Sequence, residues 1–385
     1  MRAEERVTPL ELFFDLVFVL SFTQVTIAMA DKPNVEGFGE GILILAAVWW
    51  AWAAYGWLTN SIDPDENVNR LCIFAAMGGM LVVSLSIPQA FGNRGVLFGC
   101  AYFAVRALQM LLYVRNTRRD DESDDLQAIL KLAPGLLLGS ALLIVAGLLD
   151  GGARASIWIL AVLIDWSTPL LFGTDEFHLD PGHFAERYGL IVLIALGESV
   201  LAIGTAAELT LDTGEVLAAL LGIVSVAALW WAYFDILAIV AERRLIEAPP
   251  GEQAPLARDA YSYLHFPLIA GIVLLALGLK KTLGHVDEAL DPVPAIALCG
   301  GTALYLLGNV ALRLRTLGSL SPHRLFAAAA LLALIPLALA ADALISLLAV
   351  SAVLAALITY EAIHFREARA RVRANPSATL AEMKG

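Results

Sequence analysis

Apolar residues fill this chain in long, nearly unbroken stretches divided by short polar loops. Each stretch runs to roughly 20 residues, the length an α-helix needs to cross a bilayer's hydrocarbon core at about 1.5 Å per residue. The stretches lie near 8–30, 38–60, 67–90, 95–115, 126–149, 153–173, 183–206, 215–242, 258–281, 292–314, 322–341 and 343–365. Only Ala341-Asp342 separates the last two, so that pair reads either as two spans or as one irregular hairpin. No segment alternates as a β-barrel strand would, and lipid admits only helices or closed barrels. The pattern predicts an all-α fold, a polytopic membrane helix bundle of about twelve transmembrane helices over 1–365. A charged tail, 366–385, is expected to leave the membrane on the cytoplasmic side.

Composition agrees. Hydrophobic residues make up 59% of the chain and charged residues only 16%, with a mean hydropathy of +0.74. Soluble domains carry about 45–50% apolar and about 25% charged residues. A soluble core of this length has no room for so much apolar surface, so lipid must cover part of it. The three cysteines, Cys72, Cys100 and Cys299, fall in apolar stretches without a CxxC pair, which points away from a disulfide frame or a zinc site. Met1–Arg6 is charged, but the apolar run behind it carries Glu11 and Asp15 and lacks a small-residue cleavage site, so no cleavable signal is expected.

The net charge of −12 matters less than its placement. With both termini and the even-numbered loops on one side, that side carries 19 of the 25 lysines and arginines, the other 5, and Arg106 lies inside a helix. Basic residues gather on the cytoplasmic side, so both termini are expected there. Such scattered basic residues give no sign of nucleic-acid binding. Two parallel halves, 1–175 and 176–365, are also suggested. Trp49-Trp50-Ala51-Trp52 echoes Trp230-Trp231-Ala232-Tyr233; Gln109, six residues before Arg115, echoes Asn309, six before Arg315; Glu11 and Glu186 open each half.

Ionisable groups within a membrane cost roughly 2.5–3.5 kcal/mol each on insertion, so each one needs a reason. Thr8-Pro9-Leu10-Glu11 reads as a capping box, which accounts for Glu11. Asp15, a turn deeper on the same face, has no such reason. His183, Glu186 and Arg187, after Asp180-Pro181, read as an interfacial charge cluster. Glu198 stands about 18 Å beyond Glu186. It is surrounded by Ala195, Gly197 and Ser199, small residues that suit close helix contact or a cavity. Asp165 comes just before Pro169, which bends its helix; a broken helix beside an acid suits an ion site, although Ser167 and Thr168 can satisfy the freed backbone. Pro88-Gln89 and His265-Phe266-Pro267 are weaker examples. Arg106 needs an acidic partner, and Asp15, Asp165 and Glu198 all qualify. Asp235 reads as interfacial, and the tryptophans of the second and eighth helices as bundle packing. The run Arg118–Asp125 contains DDxxD, a diphosphate–Mg²⁺ spacing, but reads as a solvated loop. No cofactor or metal is implied.

Two blocks are more specific than their composition. Thr8-Pro9-Leu10-Glu11-Leu12-Phe13-Phe14-Asp15-Leu16-Val17-Phe18-Val19 is followed, in order, by His183-Phe184-Ala185-Glu186-Arg187-Tyr188-Gly189 and Ile194-Ala195-Leu196-Gly197-Glu198-Ser199. Together they resemble the signature stretches of the bacterial low temperature requirement A family. The resemblance implies a multipass plasma-membrane protein. It assigns no substrate, since the family is named for a growth phenotype in the cold. It marks Glu11, Asp15, His183, Glu186, Arg187, Glu198 and Ser199 as motif positions. Tyr188 departs from the family pattern, which often has histidine there.

An excess of acids over one deep arginine favours protons or cations over anions. The leading expectation is therefore a transporter or permeation pathway, proton- or cation-coupled. Asp15, Asp165 and Glu198 would share one polar interior, Arg106 would tune them, and the partners would be the lipid bilayer and a proton, cation or small solute. The rivals are a membrane enzyme acting on lipid or a lipid-linked substrate, and a membrane sensor or scaffold linked to growth in the cold. Against the enzyme, the chain has no HExxH, GxSxG, P-loop or dinucleotide fingerprint.

Overall fold

The computed structural model describes residues 7–119, 123–174, 177, 179–206 and 212–374. Asp120-Asp121-Glu122 of the acidic run and the tail after 374 lie outside the described residues. Among the described residues eleven helices are long and apolar enough to span a membrane: α1 (Pro9–Asp31), α2 (Val35–Ser61), α3 (Asn67–Gln89), α4 (Gly95–Arg118), α5 (Leu126–Gly147), α6 (Gly151–Phe172), α7 (Pro181–Ala206), α8 (Thr213–Ile246), α9 (Pro250–Gly284), α10 (Pro292–Leu317) and, after a shorter one, α12 (Ala343–His364). The shorter apolar helix is α11 (Pro322–Ala338). The expected all-α membrane bundle is therefore the fold. Among the described residues only an isolated β-bridge, Ala289 with Asp342, departs from helix and loop.

Local chemistry sets the helix ends. Thr8 and Glu11 form the expected capping box: the Glu11 amide donates to Thr8 Oγ1 (3.3 Å) and the Thr8 amide to Glu11 Oε2 (2.9 Å). Asp212 and Glu215 form a second such box at the start of α8. Gly318 ends α10 in the left-handed region, at φ 67°, where glycine carries no Cβ penalty. The last pair of helices is the irregular hairpin: α11 breaks at Leu334, next to Pro336, and the 338–344 turn bonds back to the 286–290 loop.

The chain divides into two compact units. One takes residues to Ala28, then Gly39–Arg187 and Pro249–Arg258; the other takes Met29–Phe38, Tyr188–Ala248 and residues from Asp259 onward. In the first, α2 is the most enclosed helix, with Trp49, Trp52 and Tyr55 fully buried. Trp49 stacks on Trp52 and Trp50 on Trp166, so these rings pack the bundle as expected. In the second unit α9 and α10 are the enclosed pair. A final helix, α13 (Arg366–Ala374), turns back so that Arg369 and Arg373 pair with Asp235 and lie over the Trp231 ring. Asp235 sits where α8 breaks between Phe234 and Leu237. It is thus the anchor of the returning helix and not a solitary interfacial acid.

Small residues let the helices approach closely, as lipid-embedded packing requires. A Cβ on Gly99 of α4 would come within 2.6 Å of the Ile144 amide and the Leu143 carbonyl carbon in α5. A Cβ on Gly78 of α3 would meet nothing within 4 Å. Gly99→Val should therefore lower stability in detergent by about 1–3 kcal/mol, whereas Gly78→Ala should be neutral or slightly stabilising. Thermal unfolding of the two variants checks this; equal effects would contradict the close contact.

Candidate functional site: two buried charge clusters

Among the described residues, the buried acids of the first unit, Glu11, Asp15 and Asp165, fall in two clusters, each assembled around one arginine. The first cluster joins the start of α1 to the start of α7. Glu11 and Asp15 lie one turn apart on α1, and both are buried. Arg187, four residues after His183 on α7, reaches both: its Nη1 donates to Glu11 Oε1 (3.1 Å) and its Nη2 to Asp15 Oδ1 (2.8 Å). Nη1 also donates to Thr59 Oγ1. The guanidinium carbon lies 5.7 Å from the Trp52 ring centre, and the Trp52 indole N–H donates to Asp15 Oδ1 (2.8 Å). Asp15 Oδ2 is buried and accepts no hydrogen bond among the described residues.

His183 completes this cluster, and its tautomer follows from Asn60. The Asp180 amide donates to Asn60 Oδ1 (2.8 Å), and Asn60 Nδ2 donates to the Asp180 carbonyl (3.0 Å). That pairing fixes the Asn60 amide, whose Nδ2 also faces His183 Nδ1 at 3.0 Å. His183 Nδ1 is then an acceptor, so its proton sits on Nε2 and is donated to Glu11 Oε2 (3.0 Å). A neutral His183 leaves two carboxylates facing one guanidinium.

The second cluster joins α4 to α6. Arg106 Nη2 pairs with Asp165 Oδ1 at 3.0 Å, and Nη1 donates to Gln109 Oε1 at 2.7 Å. Gln109 in turn donates to the Ala54 carbonyl on α2 (2.8 Å). The Tyr102 hydroxyl lies 3.3 Å from Asp165 Oδ2 and 3.0 Å from the Ala47 carbonyl. The cavity beside Asp165 measures about 10 Å³, no more than about one water. Ser167 and Thr168 both donate to the Ile164 carbonyl, one residue before the Asp165 carbonyl whose amide partner Pro169 removes. One arginine and one acid balance here.

The structure thus assigns Arg106 to Asp165 and gives Asp15 a different arginine. The expectation that Asp15 and Asp165 share one polar interior tuned by Arg106 is corrected: each lies in its own cluster, beside its own arginine. The correction has a physical cause, since Arg187 lies at the end of a span and reads from sequence as an interfacial cation, yet is 1% exposed. Glu186, next to it, is exposed and accepts from the Val7 amide. Glu198 and Ser199, further along α7, are buried, and Ser199 Oγ lies 3.4 Å from the Ile272 carbonyl. His265 is a satisfied core histidine, with Nδ1 donating to the Ala260 carbonyl and Nε2 accepting from Tyr233. Tyr188, the family-pattern departure, packs edge-on against it and lies 3.0 Å from the Ser262 hydroxyl.

A third pairing was not anticipated from sequence. In the second unit, Arg324 of α11 makes a two-pronged contact with Glu361 of α12 (2.7 and 3.0 Å), and His323 Nε2 joins it at 2.9 Å. Arg324 also reaches Asn309 Oδ1 at 3.5 Å. Glu361 was legible as the one acid in the apolar run 343–360 and its next turn; its closeness to the helix end hid it. Among the described residues no group of three or more His, Cys, Asp or Glu is placed to hold a metal ion.

Removing one partner of a buried pair strands the other charge, at about 3–5 kcal/mol, whereas apolar replacement of both is often tolerated. Arg106→Leu should therefore destabilise the protein strongly, and adding Asp165→Leu should recover most of the loss. Unfolding in detergent measures both; a double variant as unstable as the single would contradict the pairing.

Comparison with known proteins agrees with the blocks in α1 and α7. The model for "Bacterial low temperature requirement A protein (LtrA)" matches residues 6–359. An uncharacterized protein of Rhizobium meliloti (strain 1021), RA0937, is 29% identical over 312 residues, covering 78% of this chain and 75% of its own length. No solved structure matches the chain. With the family model spanning all twelve apolar helices nearly to their end, and both charge clusters within it, the chain belongs to the bacterial low temperature requirement A family.

Proposed function

We propose that this protein is a proton-coupled transporter of the bacterial plasma membrane, with both termini cytoplasmic, and that the Glu11–Asp15–Arg187 cluster is its proton-binding element. The observation that carries the proposal is the charge count: two buried carboxylates, one guanidinium, a neutral His183 and a bare Asp15 Oδ2. An uncompensated charge in a low-dielectric interior costs several kcal/mol. One proton on Asp15 removes it.

Protonation also changes what Arg187 holds. With both acids ionised, Arg187 bridges them; with Asp15 protonated, Glu11 is its remaining anion. That is a local two-state element, in which one charge selects between two arrangements. Arg187 shares α7 with Glu198, about 16 Å further on, so a shift of this helix links the proton site to a second buried acid. By contrast, Arg106 and Asp165 form a balanced strut.

The two-halves expectation belongs to the same proposal and draws on recurring contacts. Trp52 on α2 donates to Asp15, and Tyr233, its echo on α8, donates to His265. Gln109 on α4 and Asn309 on α10 each accept from an arginine paired with an acid on the sixth or twelfth helix. Arg115 pairs with Glu66 before α3, and Arg315 with Asp259 early in α9.

The test uses purified protein in vesicles with a pH-sensitive dye inside and an imposed proton gradient. Wild-type protein should carry protons. Asp15→Asn should retain the fold, judged by thermal unfolding, yet bring proton movement to the level of empty vesicles. Unchanged proton movement in a folded Asp15→Asn protein would remove Asp15 from the mechanism, and a wild type that carries no protons would remove the transport reading.

A further inference from the structure

The second unit has a lateral feature that the proton site does not use. Helices α11 and α12 leave an open groove of about 700 Å³ between them. Its walls are apolar, formed chiefly by Phe326, Ala327, Ala330, Val353, Ala356 and Leu357. The volume falls within the roughly 300–1,000 Å³ of ligand sites. The α11 wall is a short helix: 17 residues span about 26 Å, less than the ~30 Å hydrocarbon core, and it is interrupted at Leu334.

One end of the groove is polar and aromatic. His323, Tyr360 and Phe365 line it, with the His323 and Phe365 rings 5.3 Å apart and Tyr360 stacked on His364. Such rings suit the membrane–water boundary. The charge at this end is unbalanced toward positive. Glu361 is engaged on both oxygens by Arg324. Arg313 lies within electrostatic range of His323, Arg324 and Glu361, but among the described residues its guanidinium makes no ion pair and donates to the Ser319 hydroxyl at 3.2 Å. Two arginines therefore face one carboxylate. Directly before α11, the Ser321 hydroxyl is buried and bonds to nothing among the described residues.

We infer that this groove is a binding site for an anionic phospholipid, one acyl chain lying between α11 and α12 and the phosphate facing Arg313 and His323. Charge complementarity selects the headgroup: a phosphodiester supplies the anion that Arg313 lacks. The apolar walls and the opening along the helix pair select the chain, which enters sideways from the bilayer. A zwitterionic lipid fits the walls equally well but brings its own cation to a site already one cation in excess.

Native mass spectrometry of the detergent-purified full chain tests this, with phosphatidylglycerol or phosphatidylcholine added in parallel. Wild-type protein should retain phosphatidylglycerol by about fivefold over phosphatidylcholine, the preference one interfacial arginine gives an anionic headgroup. Arg313→Gln should bring the two lipids level. Ala330→Trp, which fills the groove from its exposed wall, should lower retention of both, and Arg94→Gln, in a loop of the first unit, should leave the preference intact. Equal retention of the two lipids by wild type would overturn the inference. So would a preference that survives Arg313→Gln, competition by inorganic phosphate as strong as by phosphatidylglycerol, or a dimer that forms through this face and excludes lipid.

Discussion

Charge placed where water is absent must be balanced locally, and that constraint organises this protein's interior. Arg106 and Asp165 meet it one to one, backed by Gln109 and Tyr102. Arg324 meets it with Glu361, whose two oxygens it occupies. Asp235 meets it by drawing Arg369 and Arg373 back over Trp231. The Glu11–Asp15–Arg187 cluster differs in carrying an excess of acid, because Asn60 holds His183 in the neutral tautomer and leaves one guanidinium between two acids. A balanced pair fastens helices together. An unbalanced one responds to a proton.

The fold was largely legible in the chain, because span length and apolar run are set by the same bilayer thickness. Eleven of the twelve expected spans emerge as full-length helices and the remaining one as the short α11, whose ambiguity was visible in the narrow Ala341-Asp342 separation. The buried acids were legible too, since each one inside an apolar run demands a reason. Pairing was not. Arg187 reads as interfacial from its place near a helix start, and only the geometry of α1 against α7 shows that it is enclosed by Glu11, Asp15 and Trp52. Partner choice depends on helix rotation and depth, which apolar helices barely encode, so Arg106 was equally compatible with three acids until α6 placed Asp165 beside it. Glu361 and Arg324 were missed for a related reason: both sit near helix ends, where charge ordinarily reaches water.

Chemistry and packing meet at the glycines. Gly139 on α5 lies where a Cβ would come within 3.0 Å of the Asp165 Cβ, so the close approach of α5 to α6 is part of what buries the Arg106 pair. In the first cluster the capping box ties Glu11 to the first turn of α1, while Arg187 is carried by α7. The Arg106 and Arg324 pairs also join separate helices, so what sets the first cluster apart is its charge count: two acids share one guanidinium.

The most direct measurement of this account is infrared difference spectroscopy of the purified protein across a pH titration, comparing wild type with Asp15→Asn. A protonated buried carboxyl should appear in the wild-type spectrum as pH falls and be missing from the variant. Identical spectra at every pH would show Asp15 to be permanently ionised against Arg187, a third strut, and would contradict the central claim.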